Sequence, residues 1–186
     1  ERINQPDIAI FVSMKLVLLG YMGSGKSSVG KLLAETLQFE FTDLDHYIEM
    51  SENRSISNLF QEKGEIYFRR KEATALAKIV SEKNKMVIAT GGGTPCYGTI
   101  MADLLANEDV VTIYLKNSLE TLTERLYAEK SERPLIAHLE TESLLNDFIR
   151  KHLFERSFYY NQASIILPCD GLTPQAIVEQ LILKLF

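Results

Sequence analysis

KLVLLGYMGSGKS (15–27) joins an apolar run to a glycine-rich turn and a basic, hydroxyl-bearing helix start. Lys15 to Gly20 is short, apolar and ends on glycine, the pattern of a buried strand. Gly20-Tyr-Met-Gly-Ser-Gly25-Lys26-Ser27 then matches G-x-x-x-x-G-K-[ST] throughout, and a helix is predicted from about Lys26 to Gln38, with Val29, Leu32, Leu33 and Leu37 at helical spacing. Strand, glycine loop and helix in that order form a phosphate cradle: backbone N–H groups turn inward and the helix N-terminus adds positive potential. Gly23, Ser24, Gly25 and Ser28 belong to this expected ATP site; Lys26 reaches the β- and γ-phosphates and the Ser27 hydroxyl meets Mg²⁺.

Further strands are expected at Phe39 to Thr42, Met86 to Ala89, Asp109 to Leu115 and around Ser164 to Leu167. Between them lie a mostly helical stretch from about His46 to Lys83, a helix through Leu119, Leu122 and Leu126, another through Leu144 to Leu153, and a last one opened by Thr173-Pro174. Alternating strands and helices predict an α/β fold, a five-stranded parallel sheet covered on both faces. Ligands of such sheets bind beyond the carboxyl ends of the strands, where the polar motifs fall. One domain over 14–186 is expected, with a polar lid at about 130–141. Residues 1–13 read as an upstream extension or added residues, because position 1 is Glu and Met14 directly precedes the first strand.

The remaining composition narrows the class. The 186 residues carry a net charge of −5, so there is no basic field for nucleic acid, and any anionic ligand must be held by a few placed cations. The apolar run from Ile8 to Leu19 is too short to span a bilayer. Cys96 and Cys169 form neither a disulfide framework nor a metal spacing, which places the chain in the cytoplasm with reduced thiols. A monomer is expected. His46, His138 and His152 stand in no metal or triad spacing and receive no role.

Three other features hold candidate chemistry, each with a plainer reading beside it. Asp43-Leu-Asp45 ends the second strand: strand alternation would point both carboxylates one way, toward Mg²⁺ and an acceptor, although an Asp here also caps a helix. Gly91-Gly92-Gly93 allows close backbone approach to a ligand, or is only a turn. Arg69, Arg70, Arg125, Arg133 and Arg156 read singly as surface residues, yet arginine can also bind a carboxylate or phosphate bidentately.

Taken in order, GYMGSGKSSVGKLLA (20–34), FTDLDHYIE (41–49), SISNLFQEKGEIYFRRKE (55–72), TGGGTP (90–95), ERPL (132–135) and ERSFYYNQA (155–163) resemble the shikimate kinase family over nearly all of 14–186. The resemblance implies transfer of the γ-phosphoryl group of MgATP to the 3-hydroxyl of shikimate. It implies that Lys26 and Ser27 serve phosphate and Mg²⁺, that Asp43 supports Mg²⁺ through water, and that Asp45 faces the accepting hydroxyl. Arg69 and Arg156 are the implied carboxylate pair, and Gly92 and Gly93, next to Gly91, contact the ring hydroxyls. Arg133 is the lid arginine, Arg125 aligns with the arginine stacked on adenine, and Phe60, Phe68 and Glu72 line the substrate pocket. Two departures stand out: the lid ahead of Arg133 reads a residue longer than in many members, and Ser157-Phe-Tyr-Tyr160 replaces the commoner small-proline-leucine-tyrosine. Two alternatives remain open at this level. One is a gluconate- or nucleoside-type P-loop kinase; the other is a nucleotide-binding regulatory module without turnover.

Overall fold

A computed structural model describes residues 13–133 and 135–186; the expectation for residues 1–13 lies, Ser13 apart, outside them, as does Pro134 of the lid. Five strands, β1 (Lys15–Leu19), β2 (Glu40–Asp43), β3 (Met86–Ala89), β4 (Val110–Lys116) and β5 (Ile165–Pro168), form a fully parallel sheet in the order β2-β3-β1-β4-β5. β1 is central, and every residue in it is buried. Its alternation sorts the core. Leu16 and Leu18 face α1 (Lys26–Leu37) and α7 (Pro174–Leu185), while Val17 and Leu19 face α2 (Leu44–Glu52), α3 (Ile56–Ser81) and α4 (Ile100–Ala106). A third cluster joins Tyr21 to α5 (Leu119–Ala128) and α6 (Glu142–Tyr160) through Leu122, Leu126, Leu145 and Ile149. Lys15, with no exposed surface, is satisfied by Glu82 O at 2.8 Å and Asn84 Oδ1 at 2.9 Å, so its charge ties β1 to the end of α3.

Several elements differ from the sequence expectation. The stretch His46 to Lys83 is two helices. Asn53 ends α2 in a left-handed conformation, and the Ser55 hydroxyl accepts from Asn58 N to start α3, which Gly64 interrupts. α4 was absent from the expectation because its seven residues are too few to show a helical period. The lid is not uniformly polar. Ile136 is fully buried against the third cluster, and Lys130 Nζ bonds to Leu139 O and Glu140 O at 3.2 and 3.1 Å. The arch that holds Arg133 is therefore tethered at its base. Among the described residues no helix is long and apolar enough to cross a membrane.

Candidate active site

The site is built where β1, β2 and β3 end. Gly25 precedes α1 with φ +91°, a conformation open to glycine at little cost, and no side chain caps the helix start. The first N–H groups of α1, with Ser27 and Ser28 exposed beside them, are thus left to an external anion. Lys26 folds back into this loop, donating to Gly20 O and Tyr21 O, both at 2.8 Å. Burial lowers its pKa to about 8, although Asp45 and Asp43 oppose the shift. Ser24 is buried and Gly23 O accepts from Arg125 Nη1 at 3.2 Å, which fastens α5 to the loop.

The two aspartates are arranged differently from a strand pair. β2 stops at Asp43, and Asp45 sits in the first turn of α2, so strand alternation does not direct both carboxylates. Asp43 is the helix cap that the plainer reading expects. Its Oδ1 caps α2, accepting from Asp45 N at 3.1 Å and His46 N at 3.3 Å, while Oδ2 accepts the Ser27 hydroxyl at 2.6 Å. Asp45 turns inward instead. Burial, then the charges of Glu72 and Asp43, raise its pKa to about 6 against the pull of Lys26.

The glycine run after β3 is the floor on which the other charged groups converge. A side-chain carbon at Gly93 would stand 2.9 and 3.0 Å from the two terminal nitrogens of Arg69, so the backbone can lie this close only without one. The equivalent position at Gly92 is 3.5 Å from Arg156 Nη1, and at Gly91 it is 2.9 Å from Glu72 Oε1 and 3.1 Å from Asp45 Oδ1. Arg69 and Arg156, eighty-seven positions apart in the chain, therefore meet at one run. Arg69 Nη1 is held by Glu72 Oε2 at 2.6 Å, which keeps the guanidinium charged; its buried Nε is 3.5 Å from Glu65 Oε1, too poorly placed for a hydrogen bond. Tyr97 lies under it, ring centroid 4.3 Å from the guanidinium carbon. Phe60 and Phe68 pack on each other at 4.7 Å in the core below, with Arg69 5.3 Å from the Phe68 ring.

Sequence reasoning passed over several contributors. Tyr160, one helical turn after Arg156 on α6, donates its hydroxyl to Gly92 O; the i, i+4 spacing puts it on the helix face of Arg156. His152 also belongs to the surroundings. Its Nδ1 pairs with Tyr21 Oη at 2.9 Å, linking α6 to the phosphate loop, and no spacing signal announced it. Arg133 is folded onto Glu129, Nη2 to Oε2 at 2.6 Å, on a partly exposed surface, near enough to the phosphate loop for its charge to act on Lys26. A groove of about 670 Å³ runs between α3 and α4 and touches this region only at Arg69, Glu65 and Tyr97.

The arrangement can therefore bind an anion at the α1 end, take a planar anion between two guanidiniums, and accept a proton at Asp45 between them. A family model for shikimate kinase matches residues 22–186. A shikimate kinase of Flavobacterium johnsoniae is 44% identical over 168 residues, covering 90% of this chain and 96% of the relative. The crystal structure of the Bacteroides thetaiotaomicron shikimate kinase superimposes with a TM-score of 0.85 at 35% identity, over 92% of this chain and 98% of that one. The Acinetobacter baumannii shikimate kinase in complex with shikimate gives 0.82 at 30% identity, over 94% of each chain.

Proposed function

The chain belongs to the shikimate kinase family, and from that premise we propose how its own residues carry the γ-phosphoryl group of ATP to the 3-hydroxyl of shikimate, giving ADP and shikimate 3-phosphate. The observation that carries the reading is the convergence of Arg69, Arg156 and Asp45 on the glycine run, beside Lys26. A neutral polyol would not call for two guanidiniums at one run. A carboxylated, hydroxyl-rich acceptor does: the arginines take its carboxylate by charge-assisted bonds, and Gly92 and Gly93 let its ring lie against the backbone.

Phosphoryl transfer demands positioning and charge neutralisation more than covalent help. Gly23 to Ser28 wrap the ATP phosphates, and Lys26 exchanges its two carbonyl partners for phosphate oxygens. Asp45, with its pKa near 6, is ionised at neutral pH yet more basic than an ordinary carboxylate, and it takes the proton of the attacking hydroxyl. Arg133 leaves Glu129 for the transferring phosphate, which closes the 130–141 lid and excludes water. Arg125, fixed to the phosphate loop, bounds the adenine side.

The donor set suits Mg²⁺. The Ser27 hydroxyl and the Asp43 carboxylate are adjacent hard oxygens, and Mg²⁺ completes its shell with waters and nucleotide phosphates rather than a protein cage. Bound there, Mg²⁺ supplies positive charge to the phosphates. The free thiols and the ATP substrate agree with a cytoplasmic enzyme.

The test is ADP release measured with and without shikimate, with gluconate and nucleosides as competing acceptors. Release that depends on shikimate and yields an acid-stable phosphate ester supports the reading. Equal release without acceptor, or preference for gluconate, overturns it.

A further inference from the structure

Glu72 is a carboxylate with 1% of its surface exposed, and both of its oxygens are used. Oε2 takes Arg69 Nη1 at 2.6 Å; Oε1 accepts the Thr94 hydroxyl at 2.5 Å. Thr94 has no exposed surface, and the backbone sets its place. It opens a short 3-10 turn (Thr94–Cys96) directly after the glycine run, with Thr94 N donating to Gly91 O at 3.2 Å and Cys96 N to Gly93 O at 3.0 Å. A hydroxyl fixed by the loop thus ties a carboxylate of α3 to the floor of the site.

That tie opposes a repulsion. Glu72 Oε1 and Asp45 Oδ1 lie 2.9 and 3.1 Å from one point, where a side-chain carbon on Gly91 would stand, and two carboxylates this near repel each other. A donor on Oε1 offsets that repulsion, and the guanidinium on Oε2 turns the carboxylate toward Arg69. We propose that Thr94 is a positioning residue for the acceptor: its hydroxyl fixes the Glu72 carboxylate and, through it, the Arg69 guanidinium against Gly93, in the orientation that receives the acceptor's carboxylate. This rests on Arg69 being half of the carboxylate clamp.

The experiment compares Thr94→Val, Thr94→Ser and Arg69→Ala in steady-state kinetics, with shikimate and ATP varied separately. Valine keeps the shape and removes the donor; serine keeps the donor and loses a methyl. Thr94→Val is expected to raise KM for shikimate about tenfold, the scale of one lost hydrogen bond to a charged group, with kcat falling less and KM for ATP within about twofold. Thr94→Ser is expected to restore KM for shikimate to within about threefold of wild type. Should the valine protein not fold, as read from its thermal unfolding, Thr94→Ala removes the same donor without a new methyl.

Unchanged KM for shikimate in the hydroxyl-free variant, with Arg69→Ala impaired, overturns the Thr94 assignment alone. Equal impairment of the serine and valine variants also overturns it, since packing would then be the cause. Unimpaired shikimate binding in Arg69→Ala removes the clamp and this proposal with it.

Discussion

Asp45 is the proton acceptor proposed for the attacking hydroxyl, its ionisation costs stability, and Asp45→Asn exposes both effects at once. Burial beside Glu72 and Asp43 holds its carboxyl at about 6 instead of 3.8. That difference corresponds to about 3 kcal/mol against the ionised form in the folded state. The sign follows from proton binding. Below 3.8 the group is protonated folded and unfolded, and contributes nothing. Between 3.8 and 6 the folded state holds the proton more tightly, so stability falls as pH rises; above about 6 the full penalty is present. Asparagine removes the penalty but also the negative charge that opposes the depression of the Lys26 pKa, so the net gain is smaller, roughly 1–3 kcal/mol. Urea unfolding of the ligand-free protein at pH 7.5 should show Asp45→Asn more stable than wild type while turnover is lost. The gap should close as pH is lowered through 6 toward 4. A variant less stable than wild type at pH 7.5, or a gap that ignores pH, refutes the placement of Asp45 as a carboxylate whose ionised form is disfavoured by desolvation and by the charges of Glu72 and Asp43.

Lys26→Ala should abolish phosphoryl transfer with the fold intact by circular dichroism, because Lys26 bonds to loop carbonyls and not to the core; near-normal turnover would contradict the phosphate-loop assignment. Asp43→Asn should keep the α2 cap, since Asn caps as well as Asp, yet need more Mg²⁺ for half-maximal activity, read from a metal titration at saturating ATP. Residues 130–141 should resist protease when nucleotide and shikimate are both bound, as Arg133 exchanges Glu129 for phosphate; cleavage that is the same in the free and ternary states argues against closure.

The phosphate loop was legible because one contiguous motif carries strand, turn and helix together, and β1, β3 and β4 were legible as buried apolar runs. Asp45 was singled out on a local argument that the structure replaces. A period of two was assumed past Asp43, whereas that residue's own capping bonds turn the chain into α2. Contacts between residues far apart in the chain were beyond a motif reading: the pairing of Glu72 with Thr94 and of Tyr21 with His152 joins residues 22 and 131 positions apart. The meeting of Arg69 and Arg156 entered only through family resemblance, since nothing in their spacing along two helices requires it. Ile136 shows the opposite error: the 130–141 stretch reads as a polar lid, yet this residue is an anchor in the third cluster, with Leu139 packed against that cluster.

In the proposed complex, Arg69 and Arg156 share one carboxylate over the glycine run. Calorimetric titration of shikimate, and of an analogue lacking the carboxylate, onto wild type and Arg69→Ala tests it most directly. Shikimate affinity should fall by ~2–5 kcal/mol in the variant, the usual loss when one partner of a buried charged pair is removed. The analogue should bind wild type poorly and lose little more in Arg69→Ala. An analogue that binds wild type as well as shikimate does would contradict the clamp and make a neutral polyol the better acceptor.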